Sequence, residues 1–247
     1  MTEDRRGDLW IGTKENGVIQ LNREENKWKI WGTEHGLPSS FVTCIISRKD
    51  GSVACGTWKT SEHEGGIAIF REGILVGINR QKGLPGEKVY SLFEDREENL
   101  WIGLKNRGVA EFGGLGFLHL GKREGIQNEI INCVIQTREN QIWAGSDGGI
   151  SIFEKKNGIV KLKRNIETGS DLGSNQVTDF EVLGEKLIVS SFIGDIGIYD
   201  SRNGKIIERI SRKPRIVCKT LLGTSDKRSG ENKAQQQIAI ETDDMIA

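Results

Sequence analysis

The chain has 247 residues, with 35 Lys plus Arg against 35 Asp plus Glu and so no formal net charge. That balance removes any bulk electrostatic reason to expect nucleic acid or an anionic membrane as partner. No apolar run is long enough to span a bilayer, and the N-terminal MTEDRRGDLW lacks the apolar core of a signal peptide, so a cytoplasmic location is expected for the chain as written.

Glycine is abundant at 32 and proline scarce at 3, which leaves turns to Gly, Asn and Asp. Cys44, Cys55, Cys133 and Cys218 show no CxxC spacing. They read as buried reduced thiols and not as zinc ligands, a redox pair or a disulfide framework.

Along the chain one strand phrase returns: DLWIGT at 8–13, SVACGT at 52–57, NLWIGL at 99–104, QIWAGS at 141–146 and, more faintly, KLIVSS at 186–191. Its third position holds Trp10, Ala54, Trp101, Trp143 and Ile188, spaced by 44, 47, 42 and 45 residues. A second phrase precedes four of the five, starting at Gly36, Gly83, Gly125 and Asp171, at spacings of 47, 42 and 46. Two independent markers share one period, in the range of a four-stranded propeller blade.

The unit from 88 to 120 shows the pattern within a period. Lys88–Glu94 alternates and is rich in β-formers, Leu100–Leu104 is a second strand, Val109–Phe112 a third and Phe117–Leu120 a fourth, with polar or Gly-rich turns between them. Asn157-Gly158, Asn203-Gly204 and Glu72-Gly73 fall between third and fourth strands, where a tight hairpin needs positive φ. Repeated hairpins without crossover helices predict an all-β propeller of four-stranded antiparallel blades, with five recognisable units and room for a sixth.

The predicted propeller covers 1–223, in units of 1–32, 36–80, 83–121, 125–166 and 171–211, starting inside a unit whose first strand is absent. Residues 224–236 read as a polar loop and 237–247 as a candidate closing strand. There Ile238–Asp243 can supply the first strand of the N-terminal unit or the second strand of a sixth unit beginning near Arg215–Leu222. In the repeated phrase the Trp fills the wedge between blades, and the Gly two residues on shares its face, where a side chain would strike the adjacent blade. Cys44, Ser91, Cys133 and Asp179 occupy one first-strand position and are expected in the core or along the channel, without chemistry.

EDREENLWIG at 94–103 and EDRRGDLWIGT at 3–13, with the GLPSS and GLPGE links, resemble the two-component regulator propeller repeat. The resemblance covers about residues 3–200. It implies a propeller used as the extracytoplasmic input domain of bacterial sensor proteins, with glycans or their fragments as ligands and a downstream signalling protein as partner. A fragment of such a sensor would be periplasmic.

No catalytic group, metal site or cofactor is suggested by any motif. His35, His63 and His119 do not recur at one repeat position, Ser39 and Ser40 lack a nucleophile elbow, and GGLG at 113–116 precedes no helix. The turns from second to third strand vary while the strands repeat, and variation on a fixed scaffold is where a site can be built. The longest, TWKTSEHEGG at 57–66, carries Trp58, Lys59 and His63, suited to a sugar ring; Lys105, Arg107 and Asp147 are further candidates. The expected function is a non-enzymatic module sensing a small molecule or glycan at the channel face. A lyase or hydrolase acting on a sugar or lactone and a protein-docking scaffold remain open beside it.

Overall fold

The computed structural model describes residues 1–113, 116–156, 158–193, 195–210, 215–217 and 239–241. The chain divides into two units, Met1–Ile210 and Ser211–Ala247.

In the first unit, five four-stranded antiparallel sheets follow one another, each a simple meander. Blade 1 has strands Thr2–Glu3, Leu9–Gly12, Val18–Asn22 and Lys27–Trp31. Blade 2 has Val42–Ser47, Val53–Thr57, Ile67–Arg71 and Ile74–Ile78. Blade 3 has Val89–Glu94, Leu100–Leu104, Val109–Phe112 and Phe117–Leu120. Blade 4 has Ile131–Gln136, Gln141–Ser146, Gly149–Lys156 and Ile159–Ile166, and blade 5 has Val177–Leu183, Lys186–Ser191, Ile196–Asp200 and Ile206–Ile210. First strands of successive blades lie against one another. This is a β-propeller architecture. The first strand expected to be missing from blade 1 is present: Thr2 pairs with Trp10 and Glu3 with Leu9. Two residues are too short to show a period-2 pattern, which is why the sequence hid them.

In the second unit, Arg215–Val217 pairs antiparallel with Ala239–Glu241. The candidate closing strand therefore has its partner in the segment that would begin a sixth unit, and the 224–236 loop lies outside the described residues.

The repeated phrase builds the wedges. Trp101 is fully buried against Ile131, Val134 and Phe153 of blade 4, and Trp143 is buried beside Val177 and Phe180 of blade 5. Trp10 meets Phe70 of blade 2 at 5.0 Å between ring centroids. Burying such rings contributes on the order of 3 kcal/mol each. The Gly two residues on faces the same neighbour. A Cβ on Gly12 would lie 2.5 Å from Val42, and one on Gly145 would lie 2.5 Å from Cys133 Sγ and 2.6 Å from Val177. The space is shared by the next blade's first strand, with Val42 and Val177, and the blade's own first strand, with Cys133.

The links hold a feature the sequence did not suggest. A 3-10 turn occupies Thr33–His35, Arg80–Lys82 and Lys122–Glu124, ended by Gly36, Gly83 and Gly125 at φ 98°, 93° and 92°. The residue after each Gly, respectively Leu37, Leu84 and Ile126, is buried and pins the link to the core. At the hairpin tips, Glu72 and Gly73 both have positive φ, 51° and 79°. Blade 5 differs: its connection spans 201–205, and Gly204 at φ 60° is its left-handed residue. Among the described residues no helix is long and apolar enough to cross a membrane.

Candidate functional site

One repeat position follows each second strand: Lys14, Trp58, Lys105, Asp147 and Phe192. In four blades its backbone is held alike. The N–H of Trp58 donates to the Phe41 carbonyl at 2.9 Å, that of Lys105 to Lys88 at 2.9 Å, that of Asp147 to Ile130 at 3.2 Å and that of Phe192 to Gln176 at 2.9 Å. The backbone is thus fixed by the repeat, and only the side chains differ.

At blades 2 and 3 those side chains make a cluster. Phe41 stacks on Trp58 with centroids 5.7 Å apart and planes at 14°. Tyr90 meets Trp58 edge-on at 5.0 Å. Lysines surround the rings: Lys88 and Lys105 lie 5.4 and 5.0 Å from the Trp58 centroid, and Lys14 lies 5.8 Å from that of Phe41. Each such contact is worth about 0.5–1 kcal/mol at an exposed site, enough to bias a lysine rotamer. Lys59 pairs with Glu87 at 2.9 Å. The arrangement presents several ammonium groups over an aromatic floor, with the Glu87 carboxylate already engaged.

Of the six residues singled out in the sequence, this cluster gathers Trp58, Lys59 and Lys105. His63 sits in its own turn, its N–H donating to Thr60 Oγ1 at 3.0 Å. The Arg107 N–H donates to the Glu129 carbonyl at 3.1 Å. Asp147 Oδ1 accepts from Asn132 at 2.9 Å, and Asn132 also donates to the Val177 carbonyl across the blade boundary. Among the described residues, no ring contact or ion pair ties His63, Arg107 or Asp147 to the cluster. Phe41, Tyr90, Lys88 and Lys14 were missed. Phe41 and Lys88 stand one period apart just before first strands, and that spacing was the available signal.

Trp58 does not offer a bare stacking face. It is half-buried, with Phe41 on one side and lysines nearby. Burial pushes the Cys44 thiol up to about 11, against partial relief from bonds with Thr43 and Gly56. Burial likewise raises Cys133, with the nearby Asp179 charge adding to it. Asp179 is exposed, and its carboxylate accepts the Phe180 N–H at 2.9 Å.

A repeated meander with aromatic wedges and variable turns defines a β-propeller domain. Residues 83–106 match the family model described as two component regulator propeller, so the chain carries the repeat of that family. Among solved structures, the extracellular domain of BT4673 from B. thetaiotaomicron, described as a hybrid two component system, is similar at 18% identity and a TM-score of 0.64, over 83% of this chain and 28% of that one. The Cps50 (Swd1) propeller of Myceliophteria thermophila is similar at 12% identity and a TM-score of 0.59, over 85% and 70%. Virginiamycin B lyase from Staphylococcus aureus is similar at 16% identity and a TM-score of 0.54, over 80% and 68%. The chain spans less than a third of the length of the BT4673 domain. Likeness at this level concerns the fold, which serves unrelated roles in the three proteins. No curated protein matches the sequence.

Proposed function

We propose that this chain is a non-enzymatic recognition propeller of a two-component signalling protein, binding an acidic small molecule or acidic glycan at the Phe41–Trp58–Tyr90 cluster. The observation that carries this reading is the set of lysines held over the rings, Lys88 and Lys105 above all. Ammonium groups pre-positioned on an aromatic floor lose little freedom when they meet a carboxylate or sulfate, which favours binding. The likeness to a sensor's extracellular domain supports an extracytoplasmic setting and a downstream signalling protein as partner in this reading.

The test is thermal unfolding of the chain with oligogalacturonate and, in parallel, with neutral galacto-oligosaccharide. A ligand that binds only the folded state raises the melting temperature with concentration. The acidic probe should raise it, the neutral one should not, and the paired change Lys88→Ala with Lys105→Ala should abolish the rise. High salt should weaken it. Equal rises with both probes would refute charge recognition. No rise with either would favour the docking scaffold, and cleavage of the probe would favour the lyase or hydrolase.

A further inference from the structure

At the opposite end of the sheets, two wedges that correspond by repeat position are filled differently. In the wedge between blades 3 and 4, the fully buried Asp95 accepts the Trp101 indole N–H at 2.9 Å and three bonds from Asn99. Lys155 reaches back from the third strand of blade 4. Its Nζ lies 3.6 Å from Asp95 Oδ2 and is bonded to Glu111, which stands opposite Trp101 in the register. Burial alone would lower this ammonium's affinity for its proton. The Glu111 bond and the charges of Glu111, Asp95 and Glu97 outweigh that and hold it above its ordinary value.

Between blades 1 and 2 the same frame recurs without the lysine. Asp4 accepts the Trp10 indole N–H at 2.9 Å and the backbone N–H of Asp8 at 3.1 Å. Gln20 stands opposite Trp10, as Glu111 stands opposite Trp101, and its amide donates to Asp8 at 2.9 Å. Phe70 packs on Trp10 as Phe153 packs beside Trp101. The hairpin of blade 2 ends two residues earlier than that of blade 4, so Glu72 turns outward at φ 51° where Lys155 continues its strand inward. A cleft of about 310 Å³ remains, lined by Asp4, Asp8, Gln20, Trp10 and Phe70.

Asp4 and Asp8 are 8% and 4% exposed, and among the described residues no Lys or Arg pairs with either. Three cations stand on the cleft's rim, none of them in an ion pair with Asp4 or Asp8: Arg6, Lys29, which lies 3.5 Å over the Trp31 ring, and Arg71, which lies 3.9 Å from Asp50. Arg6 gives Asp4 its backbone N–H. Two buried carboxylates without a cation are costly, and a cation that enters from solution relieves the cost.

We propose that this cleft binds a small molecule through a primary ammonium group, seated among Asp4, Asp8 and Gln20 against Trp10, in the place that Lys155 Nζ takes between blades 3 and 4. The volume is at the lower end for small-molecule pockets and leaves room for a short chain or one ring beyond the ammonium.

The experiment follows the tryptophan indole N–H resonances of the full chain by two-dimensional NMR during titration with propylammonium chloride, with sodium chloride and propanol as controls. The Trp10 resonance, assigned from a Trp10→Phe variant, should move and saturate with propylammonium only. The Trp101 resonance should stay still, because Lys155 occupies its site. Asp8→Asn should weaken the Trp10 response about tenfold, the loss of one charge-assisted hydrogen bond. In Lys155→Ala, the Trp101 resonance should become responsive. Should either variant fail to fold, the wild-type titration decides alone. A Trp10 shift that does not saturate, or that sodium or propanol reproduces, overturns the proposal. This outcome is independent of the lysine cluster at the other end of the sheets.

Discussion

Blades 3 and 5 run the same strand order, yet their second strands read Trp101-Ile102-Gly103 and Ile188-Val189-Ser190. In blade 3, Trp101 is wholly buried by blade 4, and a Cβ on Gly103 would meet Ile131 of that blade at 3.0 Å. In blade 5, Ile188 and Ser190 are half-buried, Glu181 stands opposite Ile188, and Thr178 bonds the Ser190 hydroxyl at 2.9 Å. The difference teaches that the Trp-x-Gly phrase belongs to a pair of blades. The Trp packs into the neighbour that follows, and the vacancy left by Gly is shared between the blade's own first strand, where Ser91 Oγ lies nearest, and Ile131 of the next. Where the phrase decays, as in blade 5, the face turns to charged and hydroxyl side chains.

Deleting the ring should separate the two blades most. Trp101→Ala is expected to destabilise by about 3–5 kcal/mol, as a large-to-small change in a packed core, and Ile188→Ala by roughly 1 kcal/mol. Urea unfolding of both variants measures this, and equal losses would break the comparison. Next comes the vacancy. Gly103→Ala is expected to cost about 1–3 kcal/mol through overpacking, whereas Ser190→Ala should fall within roughly 0.5 kcal/mol of the parent. A tolerated Ala at 103 would show that blade 4 does not need the space.

A smaller effect is expected at Trp58. With Phe41 and Tyr90 packed on it, Trp58→Ala should cost about 1 kcal/mol, the worth of its aromatic contacts. An unchanged melting temperature would place the ring outside the packing. The smallest effect concerns the thiols. Burial holds Cys44 up to about 11 and raises Cys55 and Cys133 further, so at pH 8 all three stay protonated and shielded. Peptide mapping after iodoacetamide treatment of the folded chain should find them unmodified, and all three alkylated once guanidinium unfolds it. Modification of Cys55 in the folded chain would mean that the wedge between blades 1 and 2 opens.

The architecture was legible because it is written many times over. Three wedges use the same pair of residues two apart, so Trp10, Trp101 and Trp143 announce one another across the period, while blade 2 keeps the Gly behind a buried Ala54. Thr2–Glu3 escaped notice because a strand of two residues carries no alternation. The site was legible only in part. Trp58 and Lys105 stood out as residues in variable turns, but their assembly with Phe41 and Tyr90 depends on which first strand lies beside which turn. Cross-blade adjacency of that kind leaves no mark within a single repeat. The cleft at Asp4 was less visible still, since it arises from a hairpin two residues shorter in blade 2 than in blade 4.

Several side-chain bonds that cross between neighbouring blades join residues one period apart: Thr43 to Val89 at a separation of 46, Asn132 to Val177 at 45 and Lys155 to Glu111 at 44. Within blades, each strand pairs with the one before it. Each blade can therefore dock as soon as its predecessor exists, so during synthesis the unit can grow from the ribosome as a ratchet. Pulled from its ends, it should come apart in a staircase, one blade per step. Each step should lengthen the chain by on the order of 150 Å, the extended span of one repeat.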